Sequence, residues 1–278
     1  MNRHLDLIIC PKTKQPLEID FRKGIAISSD NQIKYPIIDG ILDLCPAEDE
    51  KQYITQSYDA VAPSYDRLLT SSTLFTRLYN KTVWGLYDGD YVGKLLSFFP
   101  DAAGKIILDV PVGTGVFTCE MYQRIAQSSR SIIVLDYSLG MLRRAKERYE
   151  RNGIDNIIYV RGDIGNLPLP DGCVDILLTM NGYHAFPEKE KALSEMARVT
   201  HPGSALLGCF YIQGERALTD FVARKIYSRL GSFTPPFYGF AENKAKWSRF
   251  FEFQHYRHVK SILYFAAVKR NPGGEGGR

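Results

Sequence analysis

The 278-residue chain is poor in cysteine, and its five, Cys10, Cys45, Cys119, Cys173 and Cys209, are scattered. No two stand close enough to open a metal ribbon or a disulfide framework, so no metal is expected. Reduced thiols and a cytoplasmic location are the expectation. No apolar run approaches the roughly 18 residues of a membrane span. The opening MNRHLDLIICP is interrupted by Asp6 and Pro11, too early for a secretory leader. No block of like charge occurs either. The 35 basic residues face 31 acidic ones, giving net +4 and pI 8.7. That balance is milder than the basic surface of most nucleic-acid readers, so a nucleic-acid partner is not favoured, although RNA stays open as an alternative. What is present, 45% hydrophobic and 24% charged residues, suffices for one large domain and a small one.

The organising stretch is residues 105–118, KIILDVPVGTGVFT. An apolar run ends in Asp109 and passes through Pro111, Gly113 and Gly115 into Phe117, Met121 and Ile125, spaced four apart: a buried strand, a tight turn and a helix. Glycines let backbone approach a bound nucleoside beside the helix N-terminus. An ordinary tight turn of an α/β domain gives the same local pattern. A second run, residues 131–135 (SIIVL), ends in Asp136, about 20 residues beyond the glycines, where an acid can accept from ribose hydroxyls. A third, residues 157–160 (IIYV), is followed by Asp163. Hydride-transferring enzymes need a third small residue in the glycine turn, and here that position is Thr118.

LDVPVGTG, VLDYSLGML and RGDIGNLPLPDGCVDILLTMNGYH, in this order and spacing, resemble the Rossmann-like S-adenosylmethionine (SAM)-dependent methyltransferases, over residues 57–270. The resemblance implies an α/β fold with a seven-stranded, mostly parallel sheet and an antiparallel edge hairpin. It places Asp109, Pro111, Gly113 and Gly115 around the methionine part of SAM. Asp136 would hold the ribose, with Tyr137 and Met141 bordering the adenine. Asp163 would accept from the adenine amino group, with Ile164 beside it, and Asn181 would line the cleft. Pro111 departs from the family's usual glycine. A proline keeps its carbonyl and is tolerated unless φ is positive there. SYDAVAPSYDRLL, residues 57–69, resembles the opening segment of quinone-biosynthesis methyltransferases. Its Tyr58 and Tyr65 are candidates to cover the sulfonium with a ring face, or to pack between helices.

Residues 1–46 read as a separate small β-rich module with a turn at Asp39-Gly40. CPKTKQPL and YPIIDGILDL resemble a small zinc-ribbon-like family that accompanies certain methyltransferases. Thr13 stands where a ribbon would pair a second cysteine with Cys10, so the module is expected to hold no metal. Residues 47–56 read as a linker and 271–278 as a flexible tail.

Beyond the third strand, residues 174–180 read as a fourth strand, residues 205–211 as a fifth, and residues 251–258 with 261–269 as the closing hairpin. His184 and Tyr183, at the sheet's carboxyl edge, are candidates for acid–base work or for structural turn residues. An insert at about 212–242 reads as a substrate lid. Its Phe233, Phe237 and Tyr238 suit an apolar or aromatic small molecule, or ordinary loop packing. The resulting expectation is a methyltransferase acting on O, C or N of a small, partly hydrophobic metabolite. An RNA base methyltransferase and a SAM-binding protein catalysing another reaction, such as cyclisation, are the alternatives. The pattern does not specify oligomeric state.

Overall fold

The computed structural model describes residues 4–30, 33–45, 80–84 and 91–271. Tyr58, Tyr65, the linker and nearly all of the tail lie outside the described residues.

Seven strands follow the anticipated pattern: β5 (Ile106–Asp109), β6 (Ser131–Asp136), β7 (Ile157–Arg161), β8 (Val174–Met180), β9 (Thr200–Tyr211), β10 (Phe251–Val259) and β11 (Ile262–Lys269). They lie in the order β7-β6-β5-β8-β9-β11-β10, parallel from β7 to β9 and closed by an antiparallel hairpin. The central strands are unbroken apolar runs because both sheet faces are covered. Along β6, Ile132 and Val134 join one core while Ile133 and Leu135 join the other. Pleating explains the alternation.

The sheet has eleven strands, not seven. The added four, β1 (Leu17–Asp20), β2 (Ile25–Ser28), β3 (Lys34–Ile38) and β4 (Ile41–Asp43), come from the N-terminal stretch read as a separate module. That reading is corrected in one respect: β4 pairs in parallel with β7, Leu42 opposite Val160 and Asp43 opposite Arg161, so the sheet runs on without a break. Asp39 and Gly40, both at positive φ, make the tight turn between β3 and β4. Cys10 is buried, its thiol 3.2 Å from the Tyr35 hydroxyl.

Among the described residues the α-helices are α1 (Tyr91–Leu96), α2 (Cys119–Ile125), α3 (Leu139–Arg151), α4 (Lys189–Val199), α5 (Ala217–Val222) and α6 (Phe240–Ser248). Two boundaries differ from expectation. Strand β9 begins at Thr200 rather than at residue 205 and takes in His201-Pro202-Gly203. Its pairing with β8 steps from Val174–Thr200 to Ile176–Ala205, so the extra residues bulge out, with Gly203 at φ +87°. Helix α2 begins only at Cys119, so residues 113–118 are a turn rather than helix. No helix among the described residues is long and apolar enough to cross a membrane.

Candidate functional site at the carboxyl edge of the sheet

Strands β7, β6 and β5 are neighbours in register, Asp109 opposite Val134 and Asp136 opposite Arg161. Their ends therefore deliver the three acids to one edge. Strand spacing of about 4.8 Å keeps these ends close. Main-chain N–H groups tie them together: that of Gly113 donates to the Asp136 side chain at Oδ2, 2.9 Å, and that of Gly162 to the Asp136 carbonyl at 3.1 Å.

Asp109 is buried. Burial pushes its carboxyl up to about 7, against the hydrogen bonds from Tyr122 and Thr118 that hold it down. Both donate to Oδ2, at 3.0 and 3.1 Å, and Thr118 shares a 2.9 Å hydrogen bond with Tyr149. Oδ1 has no hydrogen-bond partner among the described residues. A buried acceptor atom left open in this way suits a ligand cation or N–H donor. Thr118, Tyr122 and Tyr149 were not anticipated, because they converge from a turn and two helices and no local motif joins them.

The two glycines do different work. Gly113 has φ +57°, and a Cβ there would meet nothing within 4 Å among the described residues, so its backbone borders open space there. Gly115 has φ +69°, and its Cβ would lie 2.5 Å from the Tyr149 hydroxyl, so this glycine makes room for α3. Pro111 is not at positive φ. Its ring packs on the turn after β8, where a Cβ on Gly182 would fall 2.2 Å from Pro111 Cγ and Cδ.

Both Asp136 oxygens accept from backbone N–H groups, Oδ2 from Gly113 and Oδ1 from Ser138 at 2.9 Å. Ser138 caps α3 through Met141, whose side chain is buried. Tyr137 lies under the Arg161 guanidinium. Asp163 Oδ1 accepts from the Gly165 N–H at 2.8 Å, fixing the turn that carries buried Ile164. Asn181, at φ +58°, donates its N–H to the Cys209 carbonyl across the next strand end.

Tyr183 is 1% exposed, with Phe186, Phe210 and Trp247 around it, and the structure gives it a place in the core rather than in the crevice. His184 is buried too, its ring centre 4.0 Å from that of Phe233 with the planes tilted by 34°. Burial, with the Lys189 charge nearby, lowers its pKa to about 3, so the imidazole is neutral. Its Nδ1 accepts from the Tyr211 N–H at 3.3 Å, which leaves the proton on Nε2. Phe233 joins Trp84, Tyr211 and Tyr227 in one aromatic cluster, and Phe237 lies 6.0 Å from Tyr211. The Tyr238 ring lies under Lys246. Lys189, buried at the start of α4, donates to the carbonyls of Phe186 and Thr234 and so pins the insert to the sheet edge.

Residues 107–203 match the family model described as a methyltransferase domain. An uncharacterised chloroplastic methyltransferase of Arabidopsis thaliana is 33% identical over 48% of this chain and 38% of its own length. The demethylmenaquinone methyltransferase of Renibacterium salmoninarum is 35% identical over 55% of this chain and 56% of its own. The chain thus spans about half or less of these relatives. A chain from the complex between the Haloferax volcanii Trm112 methyltransferase activator and a methyltransferase superposes with TM-score 0.59 at 15% identity, covering 80% of this chain and all of that one. That likeness is one of fold. The matched stretch contains Asp109, Asp136 and Asp163.

Proposed function

We propose that the chain is a SAM-dependent methyltransferase acting on O, C or N of a small, partly hydrophobic metabolite. The observation that carries this is the delivery of Asp109, the Gly113–Asp136 pair and Asp163 to one edge by three adjacent parallel strands. Open α/β sheets hold ligands there.

The residues fit SAM. Asp109 Oδ1 is a buried acceptor suited to the cofactor's ammonium. Open space at Gly113 admits the nucleoside, and the Asp136 carboxylate at the end of β6 suits ribose hydroxyls. Asp163, Tyr137, Met141 and Ile164 would border the adenine, and Asn181 the cleft; Tyr58 and Tyr65, outside the described residues, stay candidates to cover the sulfonium. SAM supplies, when bound, a methyl group activated by a sulfonium. The chain's contribution is to orient the acceptor in line with it and to exclude water; positioning of this kind supplies much of the rate in such transfers. The aromatic cluster of Trp84, Tyr211, Tyr227 and Phe233 supports an apolar acceptor, as does the quinone named for one relative. With its proton on Nε2 and a pKa near 3, His184 is suited to donate a hydrogen bond to the acceptor rather than to abstract a proton.

The test is incubation of the protein with methyl-labelled SAM and metabolite extracts. Labelled product forming together with S-adenosylhomocysteine supports the assignment. Tight SAM binding with conversion of an extract component but no S-adenosylhomocysteine would replace it with another reaction.

A further inference from the structure

Among the ion pairs of the described residues, the one with both side chains under a tenth exposed joins the N-terminal strands to the proposed nucleoside site. Arg161 Nη1 lies 3.0 Å from Asp43 Oδ2, at 8% and 7% exposure. The same guanidinium donates from Nε to the Tyr137 carbonyl at 3.0 Å, with its carbon 5.8 Å from the centre of the Tyr137 ring. Tyr137 sits between Asp136, the ribose acceptor, and Ser138, whose N–H holds Asp136 Oδ1. Main-chain bonds fix the strand side of this contact: Leu44 N–H donates to the Arg161 carbonyl at 2.9 Å, and Gly162 N–H to that of Asp136. Asp43 Oδ1 accepts from the Cys45 N–H, so the carboxylate is held from its own side as well.

We propose that Asp43 is a positioning residue for the nucleoside site, acting through Arg161 to hold the Tyr137 backbone and ring where the adenosine is bound. Arginine keeps its charge in proteins, and a buried guanidinium without a carboxylate is strongly disfavoured. Without Asp43, the guanidinium loses its buried carboxylate partner and its hold on the Tyr137 carbonyl weakens. The segment that carries the ribose acceptor then loosens. The N-terminal strands therefore set cofactor affinity without touching the cofactor. This inference rests on the SAM reading above.

The test is calorimetry of the full chain with SAM and with S-adenosylhomocysteine, comparing wild type, Asp43→Asn and Asp39→Asn. The control, Asp39, forms an exposed pair with Arg143 that links the same strands to α3. Asp43→Asn is expected to weaken both ligands about tenfold, and Asp39→Asn to leave them unchanged. In turnover, Asp43→Asn is expected to raise KM for SAM and spare kcat at saturation. Should Asp43→Asn fail to fold, Asp43→Asn/Arg161→Gln removes both buried charges and the same weakening is expected. A lowered melting temperature with unchanged affinity would overturn the inference and leave a purely structural pair. Wild-type protein that binds no SAM would overturn the SAM reading as well, whereas wild-type binding with no loss in the variant overturns this inference alone.

Discussion

The ring of Pro111 occupies the space in which Gly182 would carry a side chain, a Cβ there falling 2.2 Å from Pro111 Cγ. The turns after β5 and β8 are therefore packed as one piece, and each constrains the residue allowed in the other. Gly182→Ala should destabilise the protein by about 1–3 kcal/mol through overpacking, read as a lower denaturant midpoint at unchanged m-value. Combining it with Pro111→Ala should recover part of the loss, a non-additivity expected only of residues in contact.

The two glycines of the first turn separate stability from binding. Gly115→Ala forces a Cβ against Tyr149 and should lower the melting temperature strongly. Gly113→Ala meets no atom, so its stability cost is the positive φ alone, about 1 kcal/mol, while its SAM affinity should fall markedly. Thermal melts and calorimetry on both variants check this crossover.

Asp109 makes stability depend on pH. Its folded pKa, about 7, is above the ordinary 3.8, so the folded state binds the proton more tightly than the unfolded one. The stabilisation is full below about pH 3.8 and is lost as pH rises through about 7, a swing on the order of 4 kcal/mol. Asp109→Asn should flatten the stability profile across that window in denaturant titrations. An ammonium needs the ionised form, so SAM binding should tighten from pH 6 to 8 and release a proton, seen as a dependence of the binding heat on buffer.

Lys189 behaves in the opposite sense. Burial lowers its pKa from 10.5 to about 8, so the unfolded chain holds the proton more tightly and stability from this group rises between about pH 8 and 10.5. Subtracting the profile of Lys189→Met from that of wild type should reveal the rise. The variant should also free the Phe233 region, exposing aromatic surface to a fluorescent dye.

Much of the site was legible because it is written locally. Asp109 and Asp136 each end an apolar run and Asp163 stands just beyond a third, so their places at strand ends are readable from the sequence, and the usual parallel order of such runs sets them at one edge. The Asp39-Gly40 turn and the closing hairpin are equally local. What escaped depends on long-range meetings. The apolar alternation of residues 34–43 announces strands but does not say that the last would pair with β7, so the stretch reads as separate. The Asp43–Arg161 pair spans 118 residues, and Thr118, Tyr122 and Tyr149 meet around Asp109 only through packing of α2 and α3. Tyr183 and His184 follow a strand end, where a polar residue looks exposed, whereas the insert and α6 bury both.

The central claim is tested most directly by calorimetric titration of SAM into wild type and Asp136→Ala. The account predicts one site in the wild type and at least about a tenfold loss in the variant, in line with removal of charged hydrogen-bond acceptors. Absence of binding by the wild type, or equal binding by both proteins, would contradict it.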